Sequence, residues 1–265
     1  MNLAGASVLV TGANRGIGRA LVTRLAAEPA RLVLAGMRSV EKFEPVALSP
    51  EGAAEVRPVQ IDLSSRESVD ASCERLGEEL ERIDVLFNNA GLVTGGLLEE
   101  QDMEQVYAMF QVNLVAVAHL TQRVLPGMLA RRYGAIVNNA SISAYAYFPA
   151  ASTYAASKAG VVALTEALRR ELRGTGVRAM HLVTPGVTTD MLQRTEDIYG
   201  RHLDTSGWEQ IPPEQWADQA VEAVKAGRRV VNPPGKSRLA MLAARGPAWL
   251  LDQTTARVFS RSPRG

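Results

Sequence analysis

The chain has 265 residues, a length that permits one large α/β domain with a sizeable core. Its 29 basic and 28 acidic residues give a formal net charge of +1 without a basic stripe, so nucleic acid is not expected as a partner. The single cysteine, Cys73, excludes an internal disulfide, and the scattered His119, His181 and His202 predict no metal site.

Short apolar runs alternate along the chain with longer stretches of helical periodicity. Strands are predicted at 6–10, 31–36, 56–61, 83–88, 134–139 and 177–183, with a seventh at Val230–Val231. Helices are predicted over 16–28, 65–81, 101–131, 152–173 and 213–226. Because most strands are apolar throughout, both faces of the sheet should be covered. The pattern predicts one domain over 1–265, a doubly wound parallel seven-stranded sheet (Rossmann fold) with helices on both faces.

A glycine-rich loop, "TGANRGIG", follows the first strand and leads into the first helix. Glycine permits a tight turn and the close approach of a pyrophosphate, and a helix N-terminus supplies free N–H groups. The spacing G-x-x-x-G-x-G differs from the commoner dinucleotide fingerprint, so an ordinary glycine-rich turn is the alternative. The residues expected to contact a dinucleotide here are Gly12, Asn14, Arg15, Gly16, Ile17 and Gly18.

The end of the second strand indicates which dinucleotide would bind. An acidic residue there suits the ribose 2′-hydroxyl of NAD, whereas a basic residue suits the 2′-phosphate of NADP. No acid stands near Gly36; Arg38 does, and Arg15 offers a second guanidinium for bidentate phosphate contact. These residues favour NADP(H) over NAD(H), against the alternative that both arginines are solvated surface residues.

The segment "YAASK" places Tyr154 and Lys158 four residues apart on a predicted helix. That spacing is about one turn, so both side chains should lie on one face. A nearby ammonium favours the phenolate, and it is expected to lower the tyrosine pKa from about 10 toward working pH. An incidental pair on a surface helix is the alternative.

These segments, with "NNAG" at 88–91, Asn113, Ser141 and "PG" at 185–186, resemble the short-chain dehydrogenase/reductase family in order and spacing. The resemblance implies NADPH-dependent reduction of a ketone or aldehyde by hydride transfer, reversible as oxidation of a secondary alcohol. An imine-reducing or dehydratase relative on the same fold, or a non-catalytic dinucleotide-binding sensor or scaffold, is the alternative. The chain departs from the family at Asn139-Ala140, where isoleucine-serine is usual, and at Thr184, where asparagine is common.

The resemblance also implies roles for individual residues. Tyr154 corresponds to the general acid/base, Ser141 to the residue that holds the substrate oxygen, and Lys158 to the residue that binds the nicotinamide ribose. Asn113 would tie a water molecule to the lysine. Asp62 resembles the acid that meets the adenine amino group, with a helix N-cap as the alternative. The further cofactor contacts expected are Leu63, Asn89, Ala90, Gly91, Pro185, Gly186, Val187 and Thr189, with Thr188 as a rival to Thr189.

Specificity is expected from the segments around the reacting centre. Ser143 is a rival of Ser141. The predicted substrate contacts are Ser143, Leu92, and Tyr145 and Tyr147 in "AYAYFP". They suggest an apolar pocket, although the aromatic residues could instead pack the core or a subunit contact. Residues 187–213 are expected to form a lid over the site.

Residues 236–265 form a predicted helical tail with basic residues spaced through an apolar pattern. Such a helix is expected to dock on the same fold or on a neighbouring subunit; contact with a membrane surface is the less favoured alternative. The family resemblance implies a homotetramer or homodimer that uses the helices at 101–131 and 152–173. No leader segment and no long apolar run are visible, which favours a cytoplasmic protein.

Overall fold

The computed structural model describes residues 1–46, 54–244 and 246–262. The strands are β1 (Ser7–Thr11), β2 (Leu32–Met37), β3 (Glu55–Gln60), β4 (Val85–Asn88), β5 (Gly134–Asn139), β6 (Val177–Leu182), β7 (Gly186–Val187), β8 (Gln210–Ile211) and β9 (Val230–Val231). The helices are α1 (Gly16–Ala26), α2 (Arg66–Leu76), α3 (Glu78–Glu81), α4 (Met103–Phe110), α5 (Ala116–Arg131), α6 (Ser152–Glu171), α7 (Asp190–Tyr199), α8 (Pro213–Lys225), α9 (Gly235–Ala243) and α10 (Ala248–Val258).

Seven strands form one parallel sheet in the order β3-β2-β1-β4-β5-β6-β9, which confirms the predicted doubly wound fold. All of β1 is buried, and its residues alternate between two cores. Val8 and Val10 pack in the core that includes α1 and α8, whereas Leu9 packs in the core that includes α2 and α5. The strand order reverses between β1 and β4. Sheets of this kind bind ligands in the crevice at the carboxyl ends of the strands at that point.

Three local features differ from the predicted pattern. The helix expected over 65–81 is divided at Gly77, whose φ is +52°, into α2 and α3. The helix expected over 101–131 contains a π-helical turn, Gln111–Val115, between α4 and α5. The segment expected as a lid contains α7 and pairs β7 with β8 in a separate two-stranded parallel sheet. That pairing was not predicted, because Gly186–Val187 and Gln210–Ile211 do not form apolar runs that mark a strand.

The C-terminal part contains α9 and α10, and α9 lies beside the crevice. Cys73 is buried in α2, and burial raises the pKa of its thiol. None of the helices in the described ranges combines the length and the apolar character needed to cross a bilayer.

Candidate active site

The glycine loop leaves the carboxyl end of β1 and enters α1. Gly12 has a φ of +68°, and a Cβ there would lie 2.9 Å from the Cα of Ala90, so this position requires glycine. A Cβ at Gly18 would collide with the Gly12 carbonyl oxygen. Arg15 precedes α1 without a side-chain cap, and the first turn of α1 holds no acidic residue. The free N–H groups of that turn therefore fit the diphosphate of a dinucleotide.

The two arginines predicted to bind a 2′-phosphate lie at the carboxyl ends of β1 and β2. Arg38 directly follows β2, and its side chain is exposed. The loop is fixed beside it by a hydrogen bond from the Ala13 N–H to the Gly36 carbonyl oxygen, at 3.0 Å. Arg15 is also exposed, and its Nη1 lies 3.3 Å from the Oδ2 of Asp190 at the start of α7. A phosphate would therefore compete with a carboxylate for Arg15.

Asp62 lies at the carboxyl end of β3, as predicted, and is half-buried. The alternative that it caps the following helix is wrong, because Ser65 is the N-cap of α2 and forms a capping box with Ser68. The carboxylate of Asp62 instead accepts a hydrogen bond from the Ser64 N–H at 3.0 Å. Leu63 is buried beside it.

The "NNAG" segment joins the end of β4 to its neighbours. The Nδ2 of Asn88 donates to Asn138 Oδ1 at 2.8 Å, which ties β4 to β5. The Nδ2 of Asn89 donates to the Thr11 carbonyl oxygen at 3.0 Å. In return, the Thr11 hydroxyl accepts hydrogen bonds from the N–H groups of Asn89 at 3.0 Å and Ala90 at 3.1 Å. These bonds hold the segment against the glycine loop.

The predicted catalytic side chains meet at the carboxyl end of β5. Tyr154 and Lys158 lie one turn apart on α6, and the Lys158 Nζ is 5.9 Å from the centre of the tyrosine ring. That Nζ donates a hydrogen bond to the Asn139 carbonyl oxygen at 2.9 Å. Ser141 is hydrogen-bonded to Tyr154, and its hydroxyl also accepts from the Ser143 N–H at 3.1 Å.

Burial governs the protonation of this pair. It raises the pKa of Tyr154 to about 12, an increase that the hydrogen bond to Ser141 partly offsets. Burial also lowers the pKa of Lys158 to about 8. The prediction that the ammonium lowers the tyrosine pKa toward neutrality is therefore wrong for the protein without cofactor, because desolvation outweighs the neighbouring charge.

Asn113 lies in the π-helical turn, where its side chain is buried. Its Oδ1 accepts from the Leu92 N–H at 2.8 Å, and its Nδ2 donates to the Leu92 carbonyl oxygen at 2.9 Å and to Ser157 Oγ at 3.1 Å. A Cβ at Gly91 would lie 3.3 Å from Asn113 Oδ1 and 3.6 Å from Lys158 Nζ, so this glycine lies beside both groups. Asn113 thus fixes the loop after β4 next to the lysine. π-Helical turns are frequent at functional sites.

Asn139 and Thr184, which both depart from the family pattern, are hydrogen-bonded to each other. The Thr184 hydroxyl donates to Asn139 Oδ1, and the Trp216 Nε1–H of α8 donates to the Thr184 hydroxyl at 3.0 Å. The Asn139 Nδ2 donates to Asn89 Oδ1 at 3.0 Å. This chain of hydrogen bonds holds the residue whose carbonyl oxygen binds Lys158.

The loop after β6 closes the crevice on the side of the small sheet. Pro185, Gly186, Val187 and Thr189 line the cleft, in agreement with their predicted placement. A Cβ at Gly16 would lie 3.0 Å from Thr189 Cγ2, so Thr189 packs against the glycine loop. Thr188 instead donates its N–H to the Ile211 carbonyl oxygen at 3.0 Å and does not line the cleft.

The cleft joins most of the predicted groups. Ser141, Ser143, Tyr154, Lys158 and Leu92 line it, together with Ile17, Asn89 and Gly91. Sequence analysis missed several further lining residues. They come from the region of α7, the loop that follows it and α9: Met191, Leu192, Thr195, Tyr199, Trp208, Glu209, Lys236, Ser237 and Ala240. The lid expectation for 187–213 covered those of α7 and the loop after it without naming a side chain, and the α9 residues lie in the segment expected to be a helical tail.

Tyr145 and Tyr147 do not line the cleft, so their predicted role as substrate contacts is corrected. The Tyr145 hydroxyl lies 3.0 Å from His181 Nε2, because the short 3₁₀ turn after Ser141 directs it to β6. Tyr147 is 61% exposed. Of the aromatic residues in this segment, Phe148 alone lines the cleft.

The chain is similar in sequence and in fold to proteins of known family. The short chain dehydrogenase family model matches residues 6–199. The 3-oxoacyl-[acyl-carrier-protein] reductase FabG of Thermotoga maritima is 37% identical over 73% of this chain and 79% of the relative. A short chain dehydrogenase from Burkholderia cenocepacia, solved in complex with NADP, is 27% identical, with a TM-score of 0.81 over 96% of this chain and 99% of that chain. A putative gluconate 5-dehydrogenase from Beutenbergia cavernae, with bound NADP at low occupancy, is 30% identical, with a TM-score of 0.70 over 87% and 95% of the two chains.

The hydrogen-bond chain at Asn139 generates a stability prediction. Asn139→Leu keeps the branched shape of the side chain but leaves the Thr184 hydroxyl and Asn89 Oδ1 without this partner. It should lower the free energy of unfolding by about 2 kcal/mol, measured by urea denaturation. A double-mutant cycle with Thr184→Val is the control: a coupling energy of about 0.5 kcal/mol or more is expected, and additive effects would contradict the link.

Proposed function

The chain belongs to the short-chain dehydrogenase/reductase family and is an NAD(P)-dependent oxidoreductase; from that premise we propose that it reduces ketones or aldehydes with NADPH, using Tyr154 as the general acid. One observation carries the proposal. The hydroxyl groups of Ser141 and Tyr154 and the buried ammonium of Lys158 line one cleft, which Pro185–Val187 and Ile17 of α1 also line. The non-catalytic alternative gives no reason for this grouping.

The cofactor, when bound, supplies the hydride that reaches the carbonyl carbon. The N-terminus of α1 would hold its diphosphate, and Lys158 its nicotinamide ribose. Tyr154 would then give its proton to the carbonyl oxygen, while the Ser141 hydroxyl donates a hydrogen bond to the same oxygen. The ammonium, 5.9 Å from the ring centre, would stabilise the phenolate that remains, and Asn113 holds the adjoining loop in place. The same groups in reverse would oxidise a secondary alcohol.

Burial fixes the protonation state of the tyrosine. With a pKa raised to about 12, Tyr154 holds its proton at neutral pH. That is the form that reduction of a carbonyl group requires, whereas oxidation of an alcohol would require the phenolate.

NADP(H) is proposed over NAD(H) because two guanidinium groups, Arg38 and Arg15, lie at the ends of β2 and β1. The Burkholderia and Beutenbergia structures were solved with NADP, which agrees with this assignment. Asp62, Leu63 and Ala90 are the further contacts proposed on the adenosine side. The remaining cofactor contacts would come from Asn89, Gly91 and Thr189.

The substrate of the Thermotoga relative is not carried over to this chain. The family match ends at residue 199, whereas part of the cleft wall, including Trp208 and Lys236, lies beyond it.

Residues 187–213 are proposed as the lid of a single domain. The exposed apolar side chains Met103, Tyr107 and Val115 lie in the helical region 101–131, and a homodimer or homotetramer through this region and α6 is proposed.

Tyr154→Phe tests the general acid. The substitution keeps the ring but removes the hydroxyl group that would donate the proton. We therefore expect kcat to fall by about a hundredfold or more, while the Kd for NADPH stays within about threefold. Stopped-flow turnover with an active ketone and fluorescence titration with NADPH measure the two quantities. Tyr147→Phe, at an exposed position outside the cleft, is the matched control. Equal loss of turnover and NADPH binding would mean that Tyr154 is structural.

Arg38→Asp tests the phosphate contact. The substitution removes a charge-assisted contact with the 2′-phosphate and places a carboxylate that repels it. It should lower the NADPH/NADH ratio of kcat/KM by about a hundredfold. Arg173→Asp, at an exposed position after α6 and before β6, is the control with the same change of charge. An unchanged ratio for Arg38→Asp would refute the assignment.

The pKa of Lys158 predicts the pH dependence. Because burial lowers this pKa to about 8, the ammonium is present below that pH and lost above it. The kcat/KM for NADPH, which reports ionisations of the free enzyme, should fall about tenfold per pH unit above this value. Lys158→Arg should have a lower kcat/KM at every pH. Its kcat/KM should not fall above pH about 8, because the guanidinium group stays charged. A flat wild-type profile up to pH about 10 would contradict the assignment.

A further inference from the structure

We propose that Trp208 determines specificity, by forming with Phe148 and Tyr199 an aromatic wall that selects ketones and aldehydes carrying a flat aromatic group. The inference rests on the proposed carbonyl reduction and names its substrate class. The term aromatic wall refers to these three side chains. All three line the same cleft as Tyr154.

The aromatic wall is defined by its ring geometry. The ring centres of Phe148 and Trp208 are 5.8 Å apart, with an interplanar angle of 39°. Those of Tyr199 and Trp208 are 6.4 Å apart in an edge-to-face arrangement of 69°. Trp208 therefore joins two rings from separate segments, and it is only half-buried. A substrate ring could continue these contacts, since aromatic pairs favour tilted geometries at such separations.

Tyr199 forms the rigid base of the aromatic wall. It is 1% exposed, and its hydroxyl donates to the Thr94 carbonyl oxygen at 3.4 Å. Its ring leaves no space for a side chain at Gly95. Burial, and to a lesser extent Tyr154, raises the pKa of Tyr199 above its usual range. The ring therefore stays neutral and presents an apolar surface rather than a second acid.

The C-terminal segment holds the loop that carries Trp208. The Asp204 N–H donates to the Val258 carbonyl oxygen and the Ser260 N–H to the His202 carbonyl oxygen, both at 2.8 Å. Leu203 and Phe259 pair as an antiparallel bridge between these bonds. Tyr199 and Leu203 form a small apolar cluster against which Trp208, Val258 and Phe259 pack. The end of the chain thus supports the aromatic wall from behind.

Further apolar side chains line the cleft, namely Leu92, Met191 and Leu192. The Glu209 carboxylate is engaged with α9, where it accepts a hydrogen bond from the Ser237 N–H at 3.2 Å. A flat apolar group would therefore find aromatic and aliphatic partners in the cleft beside Trp208.

The test compares kcat/KM for 2-acetonaphthone with that for 2-butanone. Trp208→Ala should lower the aryl/alkyl ratio by about tenfold or more, mainly through KM. Trp208→Phe should keep the ratio within about threefold of wild type. Phe259→Ala should loosen the packing of the C-terminal segment behind Trp208 and lower the aryl/alkyl ratio by a smaller factor than Trp208→Ala. Trp249→Ala, at a 56% exposed tryptophan of α10, is the matched control and should leave the aryl/alkyl ratio unchanged.

A binding measurement separates this inference from the proposed function. Calorimetry with 2-acetonaphthone and NADP⁺-loaded protein, a pair that cannot exchange a hydride, should give an affinity that Trp208→Ala weakens by about tenfold. If no carbonyl compound is reduced, the proposed function fails, and the calorimetry still decides about the aromatic wall. Equal affinity in Trp208→Ala and wild type, with unchanged thermal unfolding, would overturn the inference, as would an unchanged aryl/alkyl ratio in an active enzyme.

Discussion

The site depends on a buried ammonium held by one backbone oxygen. Lys158 Nζ is withdrawn from water and donates to the Asn139 carbonyl oxygen at 2.9 Å. A cation in such a place costs free energy unless it is partnered, so the position of residue 139 matters. Hydrogen bonds from Thr184 and to Asn89 fix that residue, and Trp216 reaches the same chain from α8. The end of β5, the loop after β6 and α8 are thus linked by hydrogen bonds around the ammonium of Lys158.

The groups proposed for reaction and for recognition are distributed differently along the chain. The groups proposed for proton and hydride transfer lie within the segment matched by the family model, residues 6–199. Phe148 and Tyr199 of the aromatic wall also lie within it, whereas Trp208 and the cleft residues of α9 lie beyond it. A difference in substrate between this chain and its relatives is therefore expected at Trp208 and α9 rather than at the reacting groups.

The sequence predicted features that depend on local pattern. The strands and the parallel doubly wound sheet followed from alternating apolar runs, and the Tyr154–Lys158 pair followed from helical spacing. It could not predict the bond between Asn139 and Thr184, which lie 45 positions apart and meet only when β5 pairs with β6. The direction of Tyr145 depended on a single 3₁₀ turn, and the pKa of Tyr154 depended on burial that only the assembled site creates.

Direct titration of Lys158 tests the central claim. The cofactor-free protein, labelled with ¹³C at lysine Cε, would be followed by NMR across pH, with the Lys158 signal assigned by its absence in Lys158→Met. The account predicts a titration near pH 8, because burial withdraws the ammonium from water. A titration near the ordinary lysine value of about 10.4 would contradict it, since desolvation would then not lower the pKa of this amine.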